Sequence, residues 1–246
     1  MSEQAVALTE LLGGAGIELA GEQVEALELY AEMLADYGSH TNLVADPSPE
    51  SIFTRHFADS LSILEFSRFF VSDKQCRLAD LGTGAGLPGL CLAIAVPGMR
   101  VDLIDSTAKK SRFVEAAVRR LGLTDRASAV TARLEELGHQ DAYRGQFDLV
   151  VSRALGHLAV VAELGLPLLH PGGLVLAFKS EEQAGAELRE SRRHLKALGG
   201  SPGEIVVPAL QPSGSGVKHV FVVIEKTGET PGKYPRSWAQ IKRLSS

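Results

Sequence analysis

The stretch "LADLGTGAGLPGL", residues 78–90, decides the fold of this chain. A short apolar run, read as a buried strand, leads into a turn with glycines at positions 82, 84, 86 and 89. Without Cβ atoms the backbone of such a turn can approach a ligand closely, and the following helix directs its first N–H groups at that ligand. The glycines fit both G-x-G-x-G and G-x-G-x-x-G, which leaves a dinucleotide and S-adenosylmethionine as alternatives. A Walker A loop is excluded because no G-K-[ST] follows.

Strands and helices alternate after this turn. The strand candidates are "RLADLG", "RVDLID", "ASAVT", "FDLVV" and "GLVLAF", and the first helices are "GLCLAIAV" and "TAKKSRFVEAAVRRLGL". Such alternation predicts a parallel sheet with helices on both faces. Near the end of the chain, "EIVVPAL" and "HVFVVIEK" predict an antiparallel hairpin at the sheet edge.

The region before the turn has a different pattern. Val24, Leu27, Ala31 and Leu34 recur at helical spacing, and Ser48 followed by Pro49 marks a second helix start. Residues 3–70 are therefore predicted to be helical. We predict three parts: an N-terminal helical extension over 1–72, an α/β domain over 73–227 and a basic, flexible tail over 228–246.

Composition and charge limit the partners and the cellular location that the chain can have. Residues 1–54 hold ten acidic and no basic residues, whereas the rest of the chain has a slight excess of Lys and Arg. An acidic start joined to a basic body is compatible with a nucleic-acid partner. Two cysteines without CxxC spacing predict neither a disulfide framework nor a zinc site. With no apolar run of about 18 residues and no basic signal region, we expect a cytoplasmic monomer that makes no membrane contact.

Two acidic residues follow strands. Asp105 ends the second strand, 21 residues after Gly84, where a carboxylate can accept hydrogen bonds from ribose hydroxyls; alternatively it caps the next helix. Asp80 ends the first strand, where class I methyltransferases often carry an acidic residue near the amino-acid end of the cofactor. Asp80, the terminal hairpin and the short chain favour S-adenosylmethionine. The predicted fold is the class I S-adenosylmethionine-dependent methyltransferase (Rossmann-like) α/β sheet, mostly parallel, preceded by N-terminal helices.

Several segments together resemble one protein family. They are "NLVADPSPESIFTRHFADSL", "DLGTGAGLPGL", "DSTAKKSRFVEAAVRRLGL", "TARLEEL", "FDLVVSRAL" and "LAFKS". Over roughly residues 20–225 the chain resembles the bacterial small-subunit ribosomal RNA guanine-N7 methyltransferases, known as RsmG or GidB. The resemblance implies S-adenosylmethionine as cofactor, 16S rRNA or a small-subunit assembly intermediate as partner, and 7-methylguanosine as product. The cofactor-binding residues expected from the turn and the resemblance are Asp80, Gly82, Gly84, Gly86, Leu87, Asp105, Leu134, Glu135 and Arg153.

The chemistry that the resemblance implies needs positioning more than acid–base catalysis. Guanine N7 carries a lone pair and no proton, so no general base has to deprotonate it, and alignment of the reacting groups supplies the rate. Arg153 and Lys179, at strand ends, are the first candidates to position the base. Arg55 and His56 are further candidates; their i,i+4 neighbours Asp59 and Ser60 offer the alternatives of a surface ion pair or a structural strut. No metal site is expected.

Two other functions stay open at this point. The chain could be a relative of the family that methylates another RNA or a small molecule, which its net charge of −5 suits. It could also be a non-catalytic module that binds S-adenosylmethionine.

Overall fold

A seven-stranded sheet forms the centre of the molecule. The computed structural model describes residues 1–38, 46–66, 76–211 and 218–245. The strand order is β3-β2-β1-β4-β5-β7-β6, with the first five strands parallel and β7 antiparallel to both β5 and β6. The strands are β1 (Arg77–Leu81), β2 (Arg100–Asp105), β3 (Ala127–Thr131), β4 (Phe147–Arg153), β5 (Leu169–Ser180), β6 (Glu204–Val206) and β7 (His219–Glu225). The predicted mostly parallel sheet with a C-terminal antiparallel pair is confirmed.

Helices cover both faces of this sheet. The α-helices are α1 (Glu3–Gly14), α2 (Gly21–Gly38), α3 (Pro49–Ser51), α4 (Ala58–Leu61), α5 (Gly89–Ala95), α6 (Ala108–Arg120), α7 (Leu134–Leu137), α8 (Leu158–Gly165), α9 (Glu181–Ala197) and α10 (Trp238–Ile241). Along β4, Leu149 and Val151 belong to one apolar cluster and Val150 to the other. Because neighbouring side chains of a strand point to opposite faces, the middle of β4, residues 149–151, is apolar on both faces, as expected of a sheet buried on both sides.

The N-terminal helices pack on the face that carries α5. A π-helical turn (Ile52–Phe57) joins α3 to α4, and a 3-10 turn (Ser62–Glu65) follows, so residues 49–65 form one continuous helical segment. Ser48 caps its start by accepting a hydrogen bond from the Ser51 N–H at 3.3 Å. The helical prediction for residues 3–70 is confirmed over 3–14, 21–38 and 49–65; residues 39–45, including Asn42 and Leu43 of the resemblance, and 67–75 lie outside the described ranges.

The C-terminal segment, residues 228–245, packs against the α/β domain. Tyr234 and Ile241 are buried, and Arg236 donates to both carboxylate oxygens of the buried Glu163 at 2.6–2.8 Å. Arg144 donates to the carbonyls of Tyr234 at 2.9 Å and of Thr230 at 2.7 Å. The segment expected to be a basic, flexible tail is thus packed here, because Arg236 pairs with an internal carboxylate and Arg144 of the α/β domain binds its carbonyls. None of the helices in the described ranges combines the length and apolar character needed to cross a membrane.

Candidate active site

The glycine turn between β1 and α5 is shaped by backbone conformations that favour glycine. Gly82, Gly84 and Gly86 have φ values of +67°, +60° and +97°. A Cβ atom at Gly86 would lie 2.5 Å from Leu90 and 2.9 Å from the Tyr30 hydroxyl, whereas one at Gly84 would meet nothing closer than the Gly82 carbonyl at 3.8 Å. Gly86 is therefore required for packing, and the turn is open at Gly84.

Asp80 lies beneath this turn. Its Oδ2 accepts hydrogen bonds from the Thr83 hydroxyl at 2.6 Å and from the Gly89 N–H at 2.9 Å. Burial raises the pKa of Asp80 to about 6, although these two hydrogen bonds act in the opposite direction. The Asp80 side chain thus fixes the ends of the turn, and its predicted contact with a cofactor stays a prediction.

Asp105, at the end of β2, connects the glycine turn to the start of α6. Its carboxylate accepts hydrogen bonds from the Gly84 N–H at 3.1 Å and from the Thr107 N–H at 2.8 Å, and Lys110 Nζ lies 3.9 Å away. Thr107, not Asp105, occupies the N-cap position of α6. The carboxylate therefore lies at the carboxyl ends of the parallel strands, where open α/β sheets bind ligands, and next to the open part of the turn.

A cavity of about 370 Å³, the loop cavity, opens above the turn. Of the predicted residues it brings together Gly82, Gly84, Leu87, Arg153, Arg55 and His56. The remaining lining residues are Asp59, Thr83, Ala85, Lys110, Ala154 and His219.

A second cavity of about 460 Å³, the strand cavity, lies beside it at the ends of β4 and β5. Its walls include Lys179, Phe178, Ser152 and Glu187. Lys179 Nζ lies 2.7 Å from Glu187 Oε2 and also donates to the Gly156 carbonyl. Lys179 is consequently held in the wall by a carboxylate and a carbonyl.

The two cavities share a wall, the partition, formed by Asp59, Arg153, Ala154 and His219. Asp59 is buried; its Oδ2 accepts from Arg153 Nη1 at 3.1 Å, and its Oδ1 lies 2.7 Å from His219 Nδ1. Asp59 therefore does not form the possible surface pair with Arg55, because its carboxylate faces inward to Arg153 of β4 and His219 of β7. Ala154 adopts φ +60°, a conformation uncommon for a non-glycine residue.

His56 enters the site as a neutral group. Burial, and then the nearby charges of Arg153 and Arg55, lower the pKa of His56 to about 4. Its Nε2 is buried and has no hydrogen-bond partner among the residues described. The expected pairing with Ser60 occurs through the backbone: the Ser60 hydroxyl donates to the His56 carbonyl at 2.6 Å.

Some predicted residues lie beside the cavities. Leu134 and Glu135 begin α7 and line neither cavity; they follow Ala132, whose N–H donates to the Asp105 carbonyl at 3.3 Å. Asp80, Gly86 and Asp105 also line neither cavity. In the sequence Asp59 stands out only as a neighbour of Arg55, and nothing marks His219. No local pattern identifies a residue whose partners are far away in sequence. In the described ranges no three His, Cys, Asp or Glu side chains are grouped so as to hold a metal ion.

The strand order, the glycine turn and a carboxylate at the end of β2 define a class I S-adenosylmethionine-dependent methyltransferase fold. A solved S-adenosylmethionine-dependent O-methyltransferase from Thermotoga maritima has a similar structure, with a TM-score of 0.53 at 16% identity, covering 70% of this chain and 65% of that one. At this identity the likeness concerns the fold alone.

Sequence comparison identifies the family. Residues 23–211 match the family described as rRNA small subunit methyltransferase G, GidB. The chain is 41% identical over 221 residues to the ribosomal RNA small subunit methyltransferase G of Desulfitobacterium hafniense, covering 89% of this chain and 88% of the relative. It is 36% identical over 240 residues to that of Acetivibrio thermocellus, covering 96% of both. The chain belongs to the rRNA small subunit methyltransferase G family, and it is an S-adenosylmethionine-dependent methyltransferase of small-subunit rRNA.

Proposed function

We propose that this enzyme transfers a methyl group to N7 of a guanosine in 16S rRNA. The observation that supports this most is the pair of adjoining cavities, which provides one space for a methyl donor and one for an acceptor base on either side of the partition. S-Adenosylmethionine, when bound, supplies an electrophilic methyl group on a sulfonium sulfur. The protein then has to hold the two partners in line.

The loop cavity fits the cofactor. Its volume of about 370 Å³ is within the usual range of small-molecule sites, and the turn is open at Gly84. We assign the ribose hydroxyls to the Asp105 carboxylate, which lies next to Gly84 of the cavity wall, because acidic residues at this position of α/β sheets accept hydrogen bonds from ribose. Gly82 and Leu87 line the cavity, and we place the adenine toward Leu134 and Glu135, beyond the end of β2.

Arg55 and His56 belong with the cofactor in this proposal. Both line the loop cavity, and neither lines the strand cavity. We therefore assign them to the amino-acid end of the cofactor, not to the base. A guanidinium matches a carboxylate in charge and in its forked geometry, which suits Arg55 to the cofactor carboxylate. The neutral His56 ring lies next to it.

The strand cavity is the proposed place for guanine. Arg153 and Lys179 are at its rim, and both are able to donate hydrogen bonds to guanine O6. Methylation leaves a positive charge on the base. The carboxylates of Asp59 and Glu187 also line this cavity and are paired with Arg153 and Lys179, so the two cations that contact the base do not add a net positive charge beside it. No side chain has to remove a proton, and His56, whose pKa is lowered to about 4, is a weak base.

The test is methyl transfer from labelled S-adenosylmethionine to unmethylated 30S subunits, naked 16S rRNA and a panel of small molecules. Mass spectrometry of the digested RNA should find 7-methylguanosine at one site. Label in a small molecule alone, or a methyl group on another atom or another RNA, would refute the proposal. Tight cofactor binding without any transfer would favour a non-catalytic binding module.

The same samples address the setting of the reaction. We propose that the enzyme acts in the cytoplasm as a monomer, and light scattering during gel filtration measures its mass. Comparison of rates on 30S subunits and naked 16S rRNA separates rRNA bound by ribosomal proteins from free RNA as the substrate.

A further inference from the structure

We infer that Asp59 is a positioning residue, which fixes the Arg153 guanidinium at the partition so that Arg153 can act on the bound donor and base. This inference rests on the proposed function, because the orientation of Arg153 matters for methyl transfer only when the two cavities hold the two reactants. It assigns a role to the N-terminal helical segment, which carries Asp59 into the site on α4.

The contacts of Asp59 come from three distant parts of the chain. Asp59 is on the N-terminal segment, Arg153 ends β4, and His219 starts β7. The Asp59 side chain is 4% exposed and that of Arg153 is 19% exposed. A carboxylate buried to this extent requires charged or hydrogen-bonded partners, and Asp59 has one on each oxygen.

The contacts of Arg153 are one-sided. Among the described residues, its hydrogen bonds are made by Nη1 alone, to Asp59 Oδ2 at 3.1 Å and to the His56 carbonyl at 3.4 Å. A guanidinium has five N–H donors in a rigid plane, so anchoring one nitrogen fixes the direction of the others. The remaining donors are available to ligands, and Arg153 lines both cavities.

His219 restrains Asp59 from the other side. Its Nδ1 is 2.7 Å from Asp59 Oδ1, so the carboxylate cannot rotate without losing one of its two contacts. The Asp59 carboxylate is therefore fixed by β7 and in turn fixes Arg153 on β4. A carboxamide at position 59 has a single oxygen and no charge, and it cannot hold both partners in this way.

The experiment is a double-mutant cycle with Asp59→Asn and Arg153→Met. The measurements are kcat/KM for 30S subunits at saturating S-adenosylmethionine and the affinity for S-adenosylhomocysteine by calorimetry. If Asp59 acts through Arg153, each single variant lowers kcat/KM by about 10- to 100-fold, which corresponds to the loss of one charge-assisted hydrogen bond. The double variant then falls no more than about threefold below Arg153→Met, because residues in contact are not additive.

A merely structural role of Asp59 predicts multiplied losses in the double variant, and that result would overturn the inference. The matched control is Asp148→Asn, near the start of β4, which removes a carboxylate that lies 2.9 Å from a histidine, His170. It lines neither cavity, and its effect should be small and should multiply with that of Arg153→Met.

Folding does not leave the test undecided. Asp59→Asn leaves an uncompensated buried cation, which is destabilising, whereas the double variant removes both charges. If the single variant does not fold, comparison of the double variant with Arg153→Met alone decides: near-equality supports the inference, and a further large loss overturns it. If the wild-type enzyme forms no 7-methylguanosine, the proposed function is refuted. The inference about Asp59 is refuted only when the wild-type enzyme is active and the losses in the double variant multiply.

Discussion

Removal of the Tyr30 hydroxyl should weaken both the protein and its cofactor site. Tyr30, on α2, is fully buried, and its hydroxyl donates a 2.7 Å hydrogen bond to the Ala85 carbonyl in the glycine turn. Burial raises the pKa of Tyr30 well above its ordinary value, so the hydroxyl keeps its proton. Tyr30→Phe keeps the ring, which stacks on Phe57 with 5.3 Å between centroids, and deletes only the donor.

The expected magnitude follows from the group left behind. Ala85 is 3% exposed, so its carbonyl cannot readily turn to water, and an unsatisfied buried acceptor costs about 1–3 kcal/mol. For a chain of this size each kcal/mol lowers Tm by roughly 2–4 °C, which predicts a decrease of about 2–12 °C. Because Ala85 lies between Gly84 and Gly86, a looser turn should also weaken S-adenosylhomocysteine binding by about 3- to 10-fold.

Thermal unfolding and calorimetry measure the two effects. Tyr143→Phe is the matched control: Tyr143 stacks on Phe147, and no hydrogen bond of its hydroxyl is seen within the described ranges, so its Tm should change little. The reasoning is refuted if Tyr30→Phe behaves like Tyr143→Phe, or if stability falls while cofactor affinity does not change.

Three further outcomes are expected. The pKa of His56 is about 4 in the folded protein and about 6.5 when unfolded, so the unfolded state binds more protons between these pH values. The free energy of unfolding of the wild type, relative to that of His56→Gln, should therefore rise from about pH 4 to about pH 6.5 in urea titrations. A difference that does not change with pH would contradict the low pKa. Burial would raise the pKa of Glu163, but hydrogen bonds from Arg236 and His194 outweigh it and lower the pKa to about 2. The stability advantage over Glu163→Gln is therefore present above about pH 4.5 and lost as the pH falls toward about 2. At neutral pH the variant should be cleaved faster in residues 228–245 under limited proteolysis, and unchanged cleavage would show that the Arg144 contacts hold this segment instead. Arg55→Gln should lower the affinity for S-adenosylhomocysteine about tenfold in calorimetry. The affinity for 5′-methylthioadenosine, which lacks the amino-acid end, should not change. An equal loss of affinity for both ligands would exclude the proposed carboxylate contact.

Local patterns in the sequence predicted the architecture well. Each strand of the parallel sheet lies where a short apolar run was found, and the glycine turn and the carboxylate of Asp105 meet at the predicted edge. These features are encoded by residues close together in the chain: a strand, a turn and the start of a helix. The resemblance to one family, carried by several such segments, was confirmed by the comparisons.

The partition was not predictable in the same way. Asp59 meets Arg153 and His219, which are 94 and 160 residues away in sequence, and no spacing rule relates them. The packing of residues 228–245 was not predictable for the same reason: nothing in the sequence shows that Arg236 faces Glu163, which is buried on α8. Charge counts describe what a segment carries, but only the fold determines which charges find an internal partner.

The π-helical turn at Ile52–Phe57 changes the direction in which the side chains after it point, relative to a continuous α-helix, by the rotation of one residue. An α-helix advances about 100° per residue, and a π-helical turn accommodates an extra residue, often at a functional site. The first residues of the turn, Ile52 and Phe53, thus stay buried among the N-terminal helices, while Asp59 after the turn faces the partition. Insertion or deletion of a single residue here would leave the helix recognisable in sequence but would rotate its downstream half out of register with the active site.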